Sequence, residues 1–210
     1  MRDLMILGGG PHAQEMADIA QQINHVAPTW KLLGFCVPEA QAERVGQRLG
    51  CGYAVLGTYA AIGDYPDAFL ALEYNCGFLD VSCARIISLV APTAFVASTA
   101  RIGRGCVVYP HSFVGHNAIL GDRVFVLGGS VINHDDVLED DVTVASQVSL
   151  AGAVHVESGC YLGQACTVRQ QLRIGRGSLI GMGSVVIADV APNSVMVGNP
   201  ARKLQDRIST

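Results

Sequence analysis

From Val90 onward the chain carries Val, Ile or Leu at every sixth position without a miss. The series is Val90, Val96, Ile102, Val108, Val114, Leu120, Val126, Ile132, Leu138, Val144, Leu150, Val156, Leu162, Val168, Ile174, Ile180 and Val186. These residue types make up 56 of the 210 residues. Such a run has a chance probability on the order of 10⁻¹⁰. Four residues further on in each hexad the side chain is small or aliphatic at sixteen of seventeen positions, and Asp136 is the exception. A period of six fits neither the 3.6 of a helix nor the simple alternation of a strand. It fits short strands joined at corners, with the chain turning a prism and stacking on itself at the ordinary inter-strand spacing of ~4.8 Å. Gly follows the aliphatic residue at 103, 115, 121, 163, 175 and 181, and Asn at 133. Corners that need unusual backbone angles would select those residues.

The first ninety residues have a different grammar. Leu4–Leu7 reads as a short buried strand, Gly8–Gly10 as a turn, and His12 to Ile23 as an amphipathic helix. "KLLGFCV" follows as a second strand, which makes a βαβ unit, and "DAFLALEY" as another. "GFLDVSCARI" reads as a short helix before the repeat begins. A glycine turn that opens a helix can present backbone N–H groups to phosphate. Here the third glycine of a dinucleotide fingerprint is absent, and the same turn serves equally as a tight strand-to-helix connection.

Composition narrows the class. Half the chain is hydrophobic and 15% is charged, and mean hydropathy is +0.35, which calls for efficient burial or a large subunit interface. Net charge is −4 and the only lysines are Lys31 and Lys203, so there is no basic footprint for nucleic acid. The longest apolar run near the start is Leu4–Leu7, too short for a membrane span or a signal peptide. Seven cysteines without a CxxC pair make neither a disulfide framework nor a zinc motif. They point to a cytoplasmic protein with reduced thiols.

The repeat resembles the hexapeptide-repeat acyltransferases, and "LGGGPHAQEMADI", "GSVINHDDVLED", "AGAVHVESGCYLGQACTV", "IGRGSLIGMGSVVIADV" and "VMVGNPARKL" narrow the likeness. Together they are similar to the sialic acid O-acetyltransferases and nucleotide-linked amino-sugar N-acetyltransferases. The resemblance implies an α/β, Rossmann-like sugar-nucleotide domain over residues 1–86. A left-handed parallel β-helix over 87–210 would follow, with three hexads per coil and acetyl-CoA as co-substrate. It also implies a homotrimer with active sites between neighbouring subunits.

In "NHDD" the resemblance assigns His134 as general base and Asp135 as its support. An imidazole, with an unperturbed pKa of about 6.5, suits removal of a proton from an attacking amine at neutral pH. The carboxylate fixes the tautomer and stabilises the imidazolium. His116 lies one coil earlier and Gly152 one coil later in the same column; the likeness makes the Gly152 N–H the oxyanion donor. It places acetyl-CoA contacts at Thr143, Gly152, Gln164 and Met182, and acceptor contacts at Gly9, Gly10, Pro11, His12 and Asn75. Glu139, Asp140 and Asp141 read as solvated surface charge. The sequence departs from the family pattern at Pro11, at Val37 and Pro38 after the second strand, at "LVAP" and around Asn75. All four departures fall outside the His134 motif.

The reading that emerges is N-acetylation of a nucleotide-linked 4-amino-4,6-dideoxy sugar, with no metal. O-acetylation of a sugar such as sialic acid is the alternative within the class. A non-catalytic binding protein is one alternative outside it. Another is a zinc carbonic anhydrase, for which His111 and His116 lack a third histidine near Asn75.

Overall fold

In the computed structural model, which describes residues 1–74, 76 and 85–207, the chain divides into two compact units, Met1–Pro92 and Thr93–Thr210. The first unit contains β1 (Arg2–Leu7), α1 (Pro11–Val26), β2 (Trp30–Val37), β3 (Val55–Thr58) and β4 (Phe69–Leu72). All strand pairs are parallel, in the order β3-β2-β1-β4. Leu4–Leu7 is fully buried, as a central parallel strand requires, and α1 packs Ala13, Met16, Ala17, Ile19 and Ala20 inward. The helix opens one residue earlier than the sequence indicates, at Pro11, whose fixed φ and missing N–H suit a first turn. Strand β3 is too short to show a period. Asn75 and most of the helix expected over residues 77–86 lie outside the described residues.

The second unit is the left-handed parallel β-helix that the resemblance implies. Its three faces are ladders of two-residue strands, named here by one member of each. The Arg101 face runs from Arg101–Ile102 to Arg173–Ile174, the Val107 face from Val107–Val108 to Leu179–Ile180, and the Phe113 face from Phe95–Val96 to Val185–Val186. A hairpin of Ser194–Val197 and Arg202–Asp206 closes the Val107 face. From Cys106 to Val190 both inward positions of every hexad are buried, Asp136 included.

The corners correct one sequence expectation. The glycines after the aliphatic residue do not have left-handed backbone angles; they are there because the next coil presses on them. A β-carbon on Gly163, for example, would lie 2.5 Å from the Ile180 carbonyl oxygen. The left-handed residue comes two positions later, at every sixth residue from Gly105 to Gly183, with φ between 55° and 71°. Many of these are not glycine, including Asn117, Asp135 and Ala153, although the conformation costs roughly 1–2 kcal/mol with a β-carbon. From Arg123 onward they repeat one hydrogen bond, from the left-handed residue's N–H to a carbonyl of the coil below, that offsets the cost. The Asp135 N–H donates to the His116 carbonyl at 2.9 Å, and the Ala153 N–H to the His134 carbonyl at 2.9 Å.

The acids at 139–141, of which Asp140 and Asp141 are exposed as expected, also fasten one coil to the next. Glu139 accepts from His155 Nε2 at 2.8 Å and from Ser158 Oγ and N at 2.8 and 3.0 Å. Asp140 accepts the Asp122 N–H at 2.8 Å, and Asp141 takes Arg123 in a two-pronged pair at 2.6 and 2.8 Å. Each bond joins one coil to the next, because columns of residues eighteen apart bring the partners together. The His155 and Ser158 donors pull the Glu139 carboxyl down to about 2 from 4.5. A depressed carboxyl stabilises the fold above its unfolded pKa, and that contribution is lost as pH falls through the folded value. Denaturation midpoints should therefore drop between pH 4.5 and 2, and Glu139→Gln should flatten that drop while lowering the midpoint at pH 7. Urea titrations at a series of pH values measure both.

Candidate active site

His134 stands on the corner between Val131–Ile132 of the Phe113 face and Val137–Leu138 of the Arg101 face. Its N–H is held by Asn133 Oδ1 at 2.8 Å, and its ring Nδ1 lies 2.9 Å from Asp135 Oδ2. The left-handed turn at Asp135, φ 59°, brings that carboxylate back beside its neighbour. Asn117, one coil below, donates to the other oxygen at 3.2 Å. The His134 and Asn117 hydrogen bonds hold the Asp135 carboxyl below its usual range, so at neutral pH it is an anion. An anion at Nδ1 keeps a proton on that nitrogen and leaves Nε2 as the acceptor. The side chain is 60% exposed and open to a substrate.

The expected column is present. His116 lies below, its Nδ1 2.8 Å from Thr99 Oγ1, and Gly152 lies above, pressed against the His134 ring. A β-carbon at 152 would collide with that ring, so any other residue there would push the imidazole aside. Among the described residues the Gly152 N–H has no protein acceptor. The corner thus brings together a base with a free nitrogen, an anion behind it and an unspent backbone donor. Asp136, in the core beneath, accepts the N–H of Asn133 at 2.7 Å and of Val154 at 2.8 Å; burial pushes its carboxyl up to about 7.

Gln164 and Met182 line an elongated cavity of about 490 Å³ together with Ser146, Tyr161, Leu179 and Val197. It lies at the corner between the Val107 and Phe113 faces. Thr143 pairs with Tyr161 on the ladder beside it, whereas Gly152 belongs to the His134 corner. The Phe113 face separates the two corners. It exposes Phe95 and Phe113, stacked with centroids 4.8 Å apart and planes 9° from parallel.

In the first unit Gly9, Gly10, Pro11 and His12 sit where β1 hands over to α1, and a carboxylate that the sequence reading missed is already there. Glu73, just past β4, accepts the Gly10 N–H at 3.2 Å and the Ala13 N–H at 3.3 Å. Arg44 donates to the Gly9 carbonyl at 2.8 Å. His12 pairs with Glu15 at 3.0 Å and meets the Tyr74 ring edge-on. Glu73 and Arg44 are distant in sequence and carry no motif, and only the strand order, which puts β4 beside β1, could have flagged Glu73. Among the described residues no group of three or more His, Cys, Asp or Glu could hold a metal ion, and no helix is long and apolar enough to cross a membrane.

No family model matches the chain. Over 83 residues it is 41% identical to the acyl-[acyl-carrier-protein]–UDP-N-acetylglucosamine O-acyltransferase of Alkalilimnicola ehrlichii, an alignment that takes in 40% of this chain and 32% of that one. The chain spans 27–41% of the length of the first curated relatives it matches. Among solved structures, the acetyltransferase domain of PglB from Neisseria gonorrhoeae, in complex with acetyl coenzyme A, superposes with a TM-score of 0.83. Its identity is 24%, over 97% of this chain and 99% of that one. A variant of GDP-perosamine N-acetyltransferase from Caulobacter crescentus, in complex with CoA and GDP-perosamine, also gives 0.83, at 21% identity over 97% of both chains. The unbroken hexads build the left-handed coil of the hexapeptide-repeat acyltransferases, and over that repeat the chain is similar to them in sequence.

Proposed function

We propose that the protein transfers an acetyl group from acetyl-CoA to the amine of a nucleotide-linked 4-amino-4,6-dideoxy sugar in the cytoplasm. The observation that carries the reading is the His134 corner, with Asp135 on Nδ1, Nε2 free and the Gly152 N–H alongside. The amine nitrogen attacks the thioester carbonyl carbon while Nε2 takes its proton, a contribution of typically 10²–10⁴-fold. The carbonyl oxygen becomes an oxyanion and is met by the Gly152 N–H. Collapse breaks the carbon–sulfur bond, and the imidazolium returns the proton to the departing thiolate. Asp135 stabilises the imidazolium throughout, and no residue is acylated.

The cavity at Gln164 and Met182, with Thr143 beside it, is assigned to acetyl-CoA, an assignment supported by the CoA-bound relatives. The sugar acceptor is drawn from the perosamine enzyme, whose complex holds GDP-perosamine. Its nucleotide is assigned to the first unit, read as Rossmann-like, through Gly9, Gly10, Pro11, His12 and Asn75. Within one copy the cavity and His134 lie at different corners, on either side of the Phe113 face. A site completed by a second copy across that face joins them and covers Phe95 and Phe113; three copies close the ring.

Product mass spectrometry with acetyl-CoA and UDP-, dTDP- and GDP-linked 4-amino sugars, with free sialic acid in parallel, tests the reaction. One acetyl group gained on one acceptor by the wild type, and a rate at least 100-fold lower for His134→Ala, is the expected result. Equal rates would make the His134 motif structural, and acetylation of sialic acid alone would replace the acceptor. Light scattering should give three times the 22.1 kDa chain mass; a monomer would reject the shared site. If the acceptor's diphosphate docks at α1 it must displace Glu73, so Glu73→Gln should lower the acceptor KM several-fold with kcat little changed. An unchanged KM would put the phosphates elsewhere.

A further inference from the structure

Asp136 breaks two regularities of the coil at the same corner. In the other hexads the residue at its position is small or aliphatic, whereas this carboxylate is fully buried. Its hydrogen bonds also take up two backbone N–H groups, and the first of them has a different partner in the other hexads. At Gly115, Gly121 and Gly163 the N–H after the aliphatic residue donates to a carbonyl of the next coil, at 2.8 Å in each case. Asn133, the counterpart at this corner, donates inward to Asp136 Oδ2. The N–H groups of Ala118, Cys166, Ser178 and Ser184 close their own turns by donating three residues back. Their counterpart Val154 donates across the coil gap to Asp136 Oδ1.

The ladder records the consequence. On the Phe113 face, neighbouring strands pair through both residues: Val131 and Ile132 with Phe113 and Val114 below, and Ser149 and Leu150 with Thr167 and Val168 above. Between Val131–Ile132 and Ser149–Leu150 only the Val131–Ser149 rung is present. The missing rung, Ile132–Leu150, is next to the corner that carries His134 on one coil and Gly152 on the other.

We infer that Asp136 is a positioning residue for acyl transfer: one carboxylate fastens the turn bearing His134 and the turn bearing Gly152, and sets the gap that receives the thioester carbonyl. The inference rests on the acetyltransferase reading above. Asn133 N–H belongs to the first turn and Val154 N–H to the second, so each oxygen of Asp136 holds one wall of the gap. An apolar residue here would release the Asn133 N–H to the carbonyl of the next coil, let the rung close, and leave the Val154 N–H no longer tied to the coil below. The base and the oxyanion donor would remain, at the wrong separation.

The test compares wild type with Asp136→Val, the side chain that fills this position at Val142, Val148 and Val154, and with the isosteric Asp136→Asn. Asp136→Val should melt no lower than wild type and bind acetyl-CoA with the same affinity by calorimetry. Its kcat should fall at least 10-fold with the KM for acetyl-CoA within twofold, and Asp136→Asn, which keeps one accepting oxygen, should recover part of the loss. Backbone amide resonances of Asn133, His134, Gly152 and Val154 should shift in Asp136→Val while those of other corners stay in place. A kcat within twofold of wild type, or unmoved His134 and Gly152 resonances, overturns the inference. Should wild type acylate no acceptor, the acetyltransferase reading fails on that result. The amide resonances then decide alone whether Asp136 sets the geometry of this corner. If Asp136→Val does not fold, Asp136→Asn carries both readouts, with the same two outcomes overturning the inference.

Discussion

Everything in the second unit depends on one register: three hexads to a coil, so that residues eighteen apart stand in a column. The backbone bonds that hold this register repeat along each face and at the left-handed corners from Arg123 onward. A residue's chemistry is therefore set less by its sequence neighbours than by the residues above and below it. Glu139 meets His155 and Ser158, Asp141 meets Arg123, and Asn117 meets Asp135 through this stacking. The acids crowded after His134 are a ladder seen along the chain instead of along the axis.

The candidate site uses the same register. His134 and Gly152 face each other because 152 is 134 plus one coil, and any other residue at 152 would push aside the ring that lies against it. Asp135 works from the one corner position that is left-handed, which turns its carboxylate back onto the imidazole of the residue before it. Asp136 then departs from the repeat where the site needs two coils held at a set distance. A rigid solenoid tolerates a buried carboxylate there because two short N–H bonds satisfy it.

The first unit makes a different use of backbone donors. Its glycine turn opens α1 in the manner of an anion site, yet Glu73 already sits on the Gly10 and Ala13 amides, and Pro11 contributes no donor. The electrostatics of that turn are those of a filled site.

The sequence by itself determined a prism of stacked short strands and its inward residues, because a period of six with one large and one small apolar position fits neither a helix nor a simple alternating strand, and the family resemblance supplied three hexads to a coil. It also determined the βαβ start, and with the resemblance the His134–Asp135 pair and, at eighteen residues to a coil, the column 116, 134 and 152. Only the tertiary structure decided why glycine follows the aliphatic residue, since close approach of the next coil and not backbone angle is the cause. It alone decided the partners of Glu139 and Asp136 and the arrival of Glu73 at α1. Apart from the Asn133–Asp136 bond, those contacts join residues 16 to 63 apart, and neither local spacing nor composition records which side chains a coil or a strand order will bring face to face.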